Sequence, residues 1–372
     1  MRNHIRLGHL LGIPLRVDPT WLLIFAWATW SLSTAYVPQR LPEANSLACW
    51  LLGTAMSILF FLSVVLHELG HALVARAQGQ PVRQITLFIF GGAAEISGEP
   101  DTARKELLLA LVGPGVSLLL GLVFLGVGWL AATVPWLSTM ALYLGSVNLA
   151  LGVFNLVPGF PLDGGRVLRA IIWARTGSNT VATQWAVRVG RTIAFCLMGL
   201  GLLLALQGRF GDGLWFLLIG SFLDSSAASA YAQMSLNRML AGHKVSEVMT
   251  SDCPFVPPQL TLDLFVEHYL MHQSRRCYLV GSADRPLGLL TVHQVQQVPR
   301  DRWPVTRTGE VCRPLAELRT VTPDTPLTTA LEQMTVEGVN QLPVITGDEL
   351  VGMITREGLL TFIQERAARG EQ

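Results

Sequence analysis

Between residues 107 and 162 the chain carries no charged side chain. A soluble domain does not tolerate so long an interruption, because its surface must meet water. Roughly 25% of residues in an ordinary soluble domain are charged, against 14% here. Apolar runs at 19–37, 46–75, 107–134, 137–157, 193–206 and 214–230 approach or exceed the length that crosses about 30 Å of hydrocarbon as a helix. In lipid every backbone polar group must be satisfied inside its own segment, so six transmembrane α-helices are expected. The fifth run is short and the fourth ends in proline and glycine, so those two limits are the least defined.

Hydrophobic residues make up 51% of the chain and the net charge is +1, which argues against nucleic acid as a partner. The first eighteen residues contain Arg2, Arg6 and Arg16 but no short apolar core followed by a small-residue cleavage site, so no removable signal peptide is expected. Basic residues in short connections set orientation. Arg2, Arg6 and Arg16 precede the first run, Arg76, Arg83, Arg104 and Lys105 follow the second, and Arg166, Arg169, Arg175, Arg188 and Arg191 separate the fourth from the fifth. The opposite loops carry only Arg40 and Arg209, so both termini are expected on the cytoplasmic side of a cell membrane. Cys49, Cys196, Cys253, Cys277 and Cys312 show no CxxC spacing, which suggests neither a disulfide framework nor a thiolate metal site.

Within the second run stands His67-Glu68-Leu69-Gly70-His71. On a helix, residues four apart share a face, so two imidazoles can serve one Zn²⁺ while Glu68 stands beside them as a general base. A catalytic zinc needs three protein ligands and an open position for water. The other histidines, His4, His9, His243, His268, His272 and His293, all lie outside the apolar runs, so the third ligand should be a carboxylate. Acidic residues at membrane depth are costly, and Asp163 and Asp224 are the two candidates. Asp163 follows a stretch, Asn155-Leu-Val-Pro158-Gly-Phe-Pro161-Leu-Asp163-Gly164-Gly165, whose prolines and glycines break the fourth helix, and this favours it. Asp224 reads more simply as a hydrogen-bonded or snorkelling acid. His268 and His272 are also four apart but lack the glutamate, and read as a solvated helix face.

Asn155 adjoins the break, where an amide could stabilise an oxyanion; Asn148, one heptad earlier, competes with it for that role or for an interhelical one. The segment from Ile85 to Ile96 is β-prone around Gly91 and Gly92 and reads as a hairpin, with the glycine pair at its turn. Near Leu240 the composition changes to a mixed soluble pattern containing two similar segments. Val256-Pro-Pro through Val280 aligns with Val321-Thr-Pro through Ile345, and Gly288-Leu-Leu-Thr291 with Gly352-Met-Ile-Thr355.

HELGH in an early span and NLVPGFPLDGG in a later one resemble the two signatures of the site-2 protease family of intramembrane zinc metalloproteases. The soluble repeat resembles a tandem pair of cystathionine-beta-synthase (CBS) domains, found in one branch of that family. The resemblance implies a multi-pass α-helical membrane domain over 1–239 and cytoplasmic α/β CBS repeats over 240–304 and 305–372. It implies one Zn²⁺ on His67, His71 and Asp163, Glu68 as catalytic acid and base, and Asn155 near the reacting carbonyl. It further implies that the Gly91–Gly92 hairpin pairs with an unwound transmembrane substrate in the lipid bilayer, which is cut in regulated intramembrane proteolysis. CBS pairs often form homodimers and bind adenine nucleotide. Here, however, Thr291-Val-His-Gln294 and Thr355-Arg-Glu-Gly358 lack the aspartate that the nucleotide-binding pattern places for the ribose. A dimerising or gating module with another ligand, or with none, is the alternative. The rival readings of the whole chain are a CBS-bearing transporter or channel and an inactive protease-like scaffold, and both leave either the paired motifs or the intact base unexplained.

Overall fold

The computed structural model describes residues 5–89, 91–98, 100–251, 254–271, 277–282, 285–347 and 349–368. Arg2, His4, Cys253 and His272 fall outside the described residues, as does Phe90 of the expected hairpin. The chain divides into two units, Met1–Ala232 and Gln233–Gln372.

The first unit opens with a strand pair that the sequence reading left without structure, β1 (Ile5–Leu10) and β2 (Ile13–Val17). Their period-two apolar residues are too few to stand out beside the long runs that follow. The first apolar run is helical from Thr20 to Arg40 but is interrupted: α1 (Thr20–Ser31) passes through a π turn at Leu32–Tyr36 into α2 (Val37–Arg40). Five single helices among the described residues are long and apolar enough to cross a membrane. They are α3 (Ser46–Ala77), α4 (Ala103–Leu130), α5 (Pro135–Asn155), α7 (Asn179–Leu206) and α8 (Phe210–Leu240). Asn45 and Thr102 cap α3 and α4, each side-chain oxygen accepting a bond from the backbone N–H three residues on.

Between α3 and α4 the expected hairpin forms from β3 (Val82–Phe88) and β4 (Gly91–Ile96), with Phe88 opposite Gly91 across the turn. The four strands make one sheet in the order β1-β2-β3-β4, so β4 is an edge. The sheet covers one side of α3: Ile13 and Ile85 pack on Leu69 and Ala72, and Val17 and Leu87 on Val64 and Val65. Burying these side chains contributes roughly 1.5–3 kcal/mol each, and it also fixes the rotation of α3.

After α5 the chain breaks as expected, but the residues beyond it, read as a basic connection, are helical. They form α6 (Asp163–Thr176), and α7 begins well before Arg188 and Arg191. Arginines that looked like loop charges therefore lie on helices, where their stems cover apolar surface. Arg191 Nε donates to Asp224 at 2.7 Å, and Arg188 lies over the Trp185 ring.

The second unit holds two α/β halves of like order. The first has β5 (Phe255–Val256), α9 (Leu262–Phe265), β6 (Cys277–Ser282), β7 (Arg285–Thr291) and α10 (Val292–Gln297). Short connecting elements α11 (Thr308–Val311) and β8 (Arg313–Pro314) follow, and the second half has α12 (Leu327–Val336), β9 (Gln341–Thr346), β10 (Glu349–Thr355) and α13 (Arg356–Ala368). Val256 pairs in parallel with Val280, and Val321 with Val344, as the internal alignment implies. Each half has its own core, and leading segments are exchanged between them. Val245 belongs to the core of the second half, together with Leu240 at the end of α8, while Val311 and Cys312 pack on the first.

Candidate metal centre

The two histidines of α3 are buried, 4% and 5% exposed, and they face α4 and the start of α6. Asp163 is the first residue of α6, so the broken backbone ends where this side chain begins rather than carrying it on a loop. Its Oδ2 lies 3.1 Å from His67 Nε2 and 3.2 Å from His71 Nε2, and the two Nε2 atoms are 3.3 Å apart. All three ligand atoms fall within 4.8 Å of one another. Tetrahedral zinc with bonds of about 2.0–2.1 Å spaces neighbouring donors about 3.3 Å apart.

The outer ring atoms explain why these nitrogens are available. His71 Nδ1–H donates to the Leu109 carbonyl at 2.8 Å, which leaves Nε2 of the neutral ring with a lone pair pointing inward. His67 Nδ1 is 2.9 Å from Ser117 Oγ. With Nε2 of both rings turned inward beside a carboxylate oxygen, two imidazole nitrogens and one oxygen form a buried donor set of the kind that fits a divalent metal. Gly113 of α4 backs this space: a Cβ there would collide with Nε2 of both histidines.

Glu68 is beside the group, on the side of the sheet. Its Oε2 accepts the Ala94 N–H at 3.1 Å, and a Cβ at Gly92 would stand 2.5 Å from Glu68 Cγ. Gly92 therefore permits the close approach of β4 to the glutamate, whereas Gly91 has a positive φ of 137° and forms the turn. Since the Ala94 N–H points to Glu68, it is directed away from β3, and the outer edge of β4 faces the glutamate.

The two asparagines separate. Asn148 is fully buried, and its Nδ2 donates to the Leu144 carbonyl and to Ser63 Oγ, tying α5 to α3. Asn155 ends α5 and is half-buried, without a side-chain hydrogen bond among the described residues. Asp224 is occupied by Arg191 and is not part of the histidine group.

What the sequence reading missed lies on α4. Glu106, Leu109, Gly113 and Ser117 recur at helical spacing along one face, and each touches the site or its support. The one signal in the sequence was Glu106 at the edge of the span, followed on the same face by the small residues Gly113 and Ser117; Leu109, which acts through its carbonyl, gives none. Glu106 is fully buried and paired with Arg166 and Arg169, two of the arginines in the basic stretch between the fourth and fifth apolar runs.

Residues 55–141 and 130–197 match peptidase family M50, and residues 309–365 match the CBS domain. The chain is 34% identical to Rip3 of Mycobacterium tuberculosis, over 98% of this chain and 93% of that protein. It is also 34% identical to sll0528 of Synechocystis, over 99% of this chain and 97% of that protein. Both relatives carry zinc metalloprotease in their names. A solved site-2 protease from Methanocaldococcus jannaschii is 33% identical, with 62% of this chain and 95% of that chain covered and a TM-score of 0.44. The chain belongs to peptidase family M50, the site-2 protease family of membrane zinc metalloproteases, and carries a CBS domain toward its C-terminal end.

Proposed function

We propose that this metalloprotease hydrolyses a peptide bond within or next to a transmembrane segment of another membrane protein, using one Zn²⁺ held by His67, His71 and Asp163. The convergence of two imidazole nitrogens and a carboxylate oxygen inside an apolar helix bundle carries this reading, since that donor set at that spacing fits a zinc ion. Bound there, zinc would acidify a water and polarise the scissile carbonyl. Glu68, next to His67 and steadied by the Ala94 N–H, takes the water proton and returns it to the leaving amine. The Asn155 amide, at the break that precedes Asp163, stabilises the oxyanion.

A helical substrate hides its peptide bonds in its own hydrogen bonds, so it must unwind before it can be cut. The β4 edge offers a partner for the unwound strand, with Gly91 and Gly92 leaving its approach clear, and this supports strand addition as the binding mode. The protein resides in the cell membrane with both termini and the CBS pair in the cytoplasm. The CBS pair controls access and can bring two copies together; Gln294 and Gly358 stand where the nucleotide pattern has aspartates, which counts against adenine nucleotide as its ligand.

The test is metal analysis of the purified full-length protein together with cleavage of a membrane substrate in liposomes. Stoichiometric zinc, and cleavage abolished in Glu68→Gln with the zinc retained, are expected. Absence of zinc, or a Glu68→Gln variant as active as the parent, would refute the proposal.

A further inference from the structure

Glu106 is fully buried and takes no part in the chemistry set out above. Its Oε1 accepts bonds from Arg166 Nε at 3.0 Å and from Arg169 Nη2 at 2.6 Å. Both arginines are on α6, the helix that begins with Asp163. Along the same face of α4, the Leu109 carbonyl holds His71, Gly113 makes room for both Nε2 atoms, and Ser117 holds His67. One stripe of α4 thus reaches two ligands directly and the third through α6.

A buried ion pair is a poor way to gain stability, because a well-packed apolar pair of similar volume does as well or better. What charged bonds add is direction. A guanidinium bonds a carboxylate along fixed axes, so two arginines on one carboxylate set both the rotation and the axial position of α6, whereas apolar contacts can slide. Leu162 supplies no side-chain cap to α6, and Gly164 and Gly165 hold its first turn close against the backbone of Leu156, Val157, Gly159 and Phe160, a packing contact to which the arginine bonds add direction. Arg166 is also three residues from Asp163 and shares a helix face with it, so an unengaged Arg166 can turn to Asp163 and compete with a metal. The Arg169 guanidinium lies 5.6 Å from the Phe160 ring centre, which extends the contact to the broken segment before Asp163.

We propose that Glu106 is a positioning residue of the metal centre: by engaging Arg166 and Arg169 it sets α6 so that Asp163 faces the two histidines, and it keeps Arg166 off Asp163. The proposal rests on the reading of His67, His71 and Asp163 as the zinc ligands.

The experiment uses the full-length protein in detergent, with zinc affinity measured by competition against a chelator and the site geometry by the absorption spectrum of bound Co²⁺. Glu106→Gln is expected to lower zinc affinity about 10–100-fold, the usual effect of losing an outer partner, and to shift the Co²⁺ spectrum. Proteolysis should fall at limiting zinc and return when free zinc is raised. Adding Arg166→Gln to Glu106→Gln should recover part of the affinity, because the competitor for Asp163 is removed; a merely structural role would instead deepen the loss. Asp163→Asn is the control. If it keeps parental affinity, the ligand reading fails. If it loses zinc while folded Glu106→Gln keeps parental affinity and the parental Co²⁺ spectrum, the positioning role fails and the ligand reading stands. Should Glu106→Gln not fold, the double variant Glu106→Gln/Arg169→Gln removes the two more deeply buried of the three charges, leaves the partly exposed Arg166 as competitor for Asp163, and is judged by the same criteria.

Discussion

Asp163 and Asp224 are both acids among apolar spans, yet one faces two imidazoles and the other a guanidinium. Asp163→Asn is therefore expected to weaken zinc binding by more than the roughly 10–100-fold that an outer partner is worth, while Asp224→Asn leaves it unchanged; a chelator titration of both variants decides. Gly113→Ala makes a sharper case, because the added Cβ would occupy the space of both Nε2 atoms. It should abolish zinc binding and cleavage together, as metal analysis and a liposome assay would record. The asparagines divide in the same manner. Removing an oxyanion donor costs about 10²–10³ in kcat, so Asn155→Ala should fall in that range. Asn148→Leu should stay near parental activity and lose only about 0.6 kcal/mol of stability, the average for a polar contact between membrane helices. Equal effects of the two asparagine substitutions on kcat would contradict this division.

Among the elements, α3 brings His67, Glu68 and His71 together within about one turn, a grouping readable in the sequence because HExxH spacing maps directly onto helix geometry. The hairpin was legible for a similar reason, its β-prone residues flanking a glycine pair. The α4 stripe was not, since Ser117, Gly113 and Leu109 are unremarkable in an apolar span until the fold sets them against the histidines. Neither α6 nor the start of α7 stands out in the sequence, because their arginines resemble those of a basic connection, although long basic side chains lie easily along a helix near a membrane surface. The role of β4 yields a test at this level. Ala94→Pro deletes the N–H that bonds Glu68, and an edge strand tolerates proline where no ladder bond is lost. A hydrogen bond to a charged group is worth about 1.5–3 kcal/mol, so kcat/KM for a transmembrane substrate should drop on the order of 10–100-fold while zinc content holds. Unchanged kinetics would remove β4 from the account.

The chain as a whole is two units with separate cores, and damage to one core should show in that unit's unfolding. Leu327 is fully buried in the second half of the C-terminal unit, and Leu327→Ala should destabilise that unit by about 2–5 kcal/mol. Calorimetry should record its transition moving down with zinc stoichiometry intact; loss of zinc in the same variant would show that the metal centre depends on that core. Within that unit the internal repeat was readable, but the exchange of leading segments was not, because Val245 precedes one repeat in sequence and packs in the other. The general division follows the range of the forces involved. Membrane character, the HExxH helix, the need for a carboxylate and the tandem repeat depend on composition and on neighbours within a few turns, and these are written in the order of residues. The broken segment before Asp163 already favoured it over Asp224, but the closeness of its carboxylate to both histidines, the orientation of the imidazoles and the Glu106 cluster depend on contacts between residues 38 to 96 positions apart, which only packing brings together.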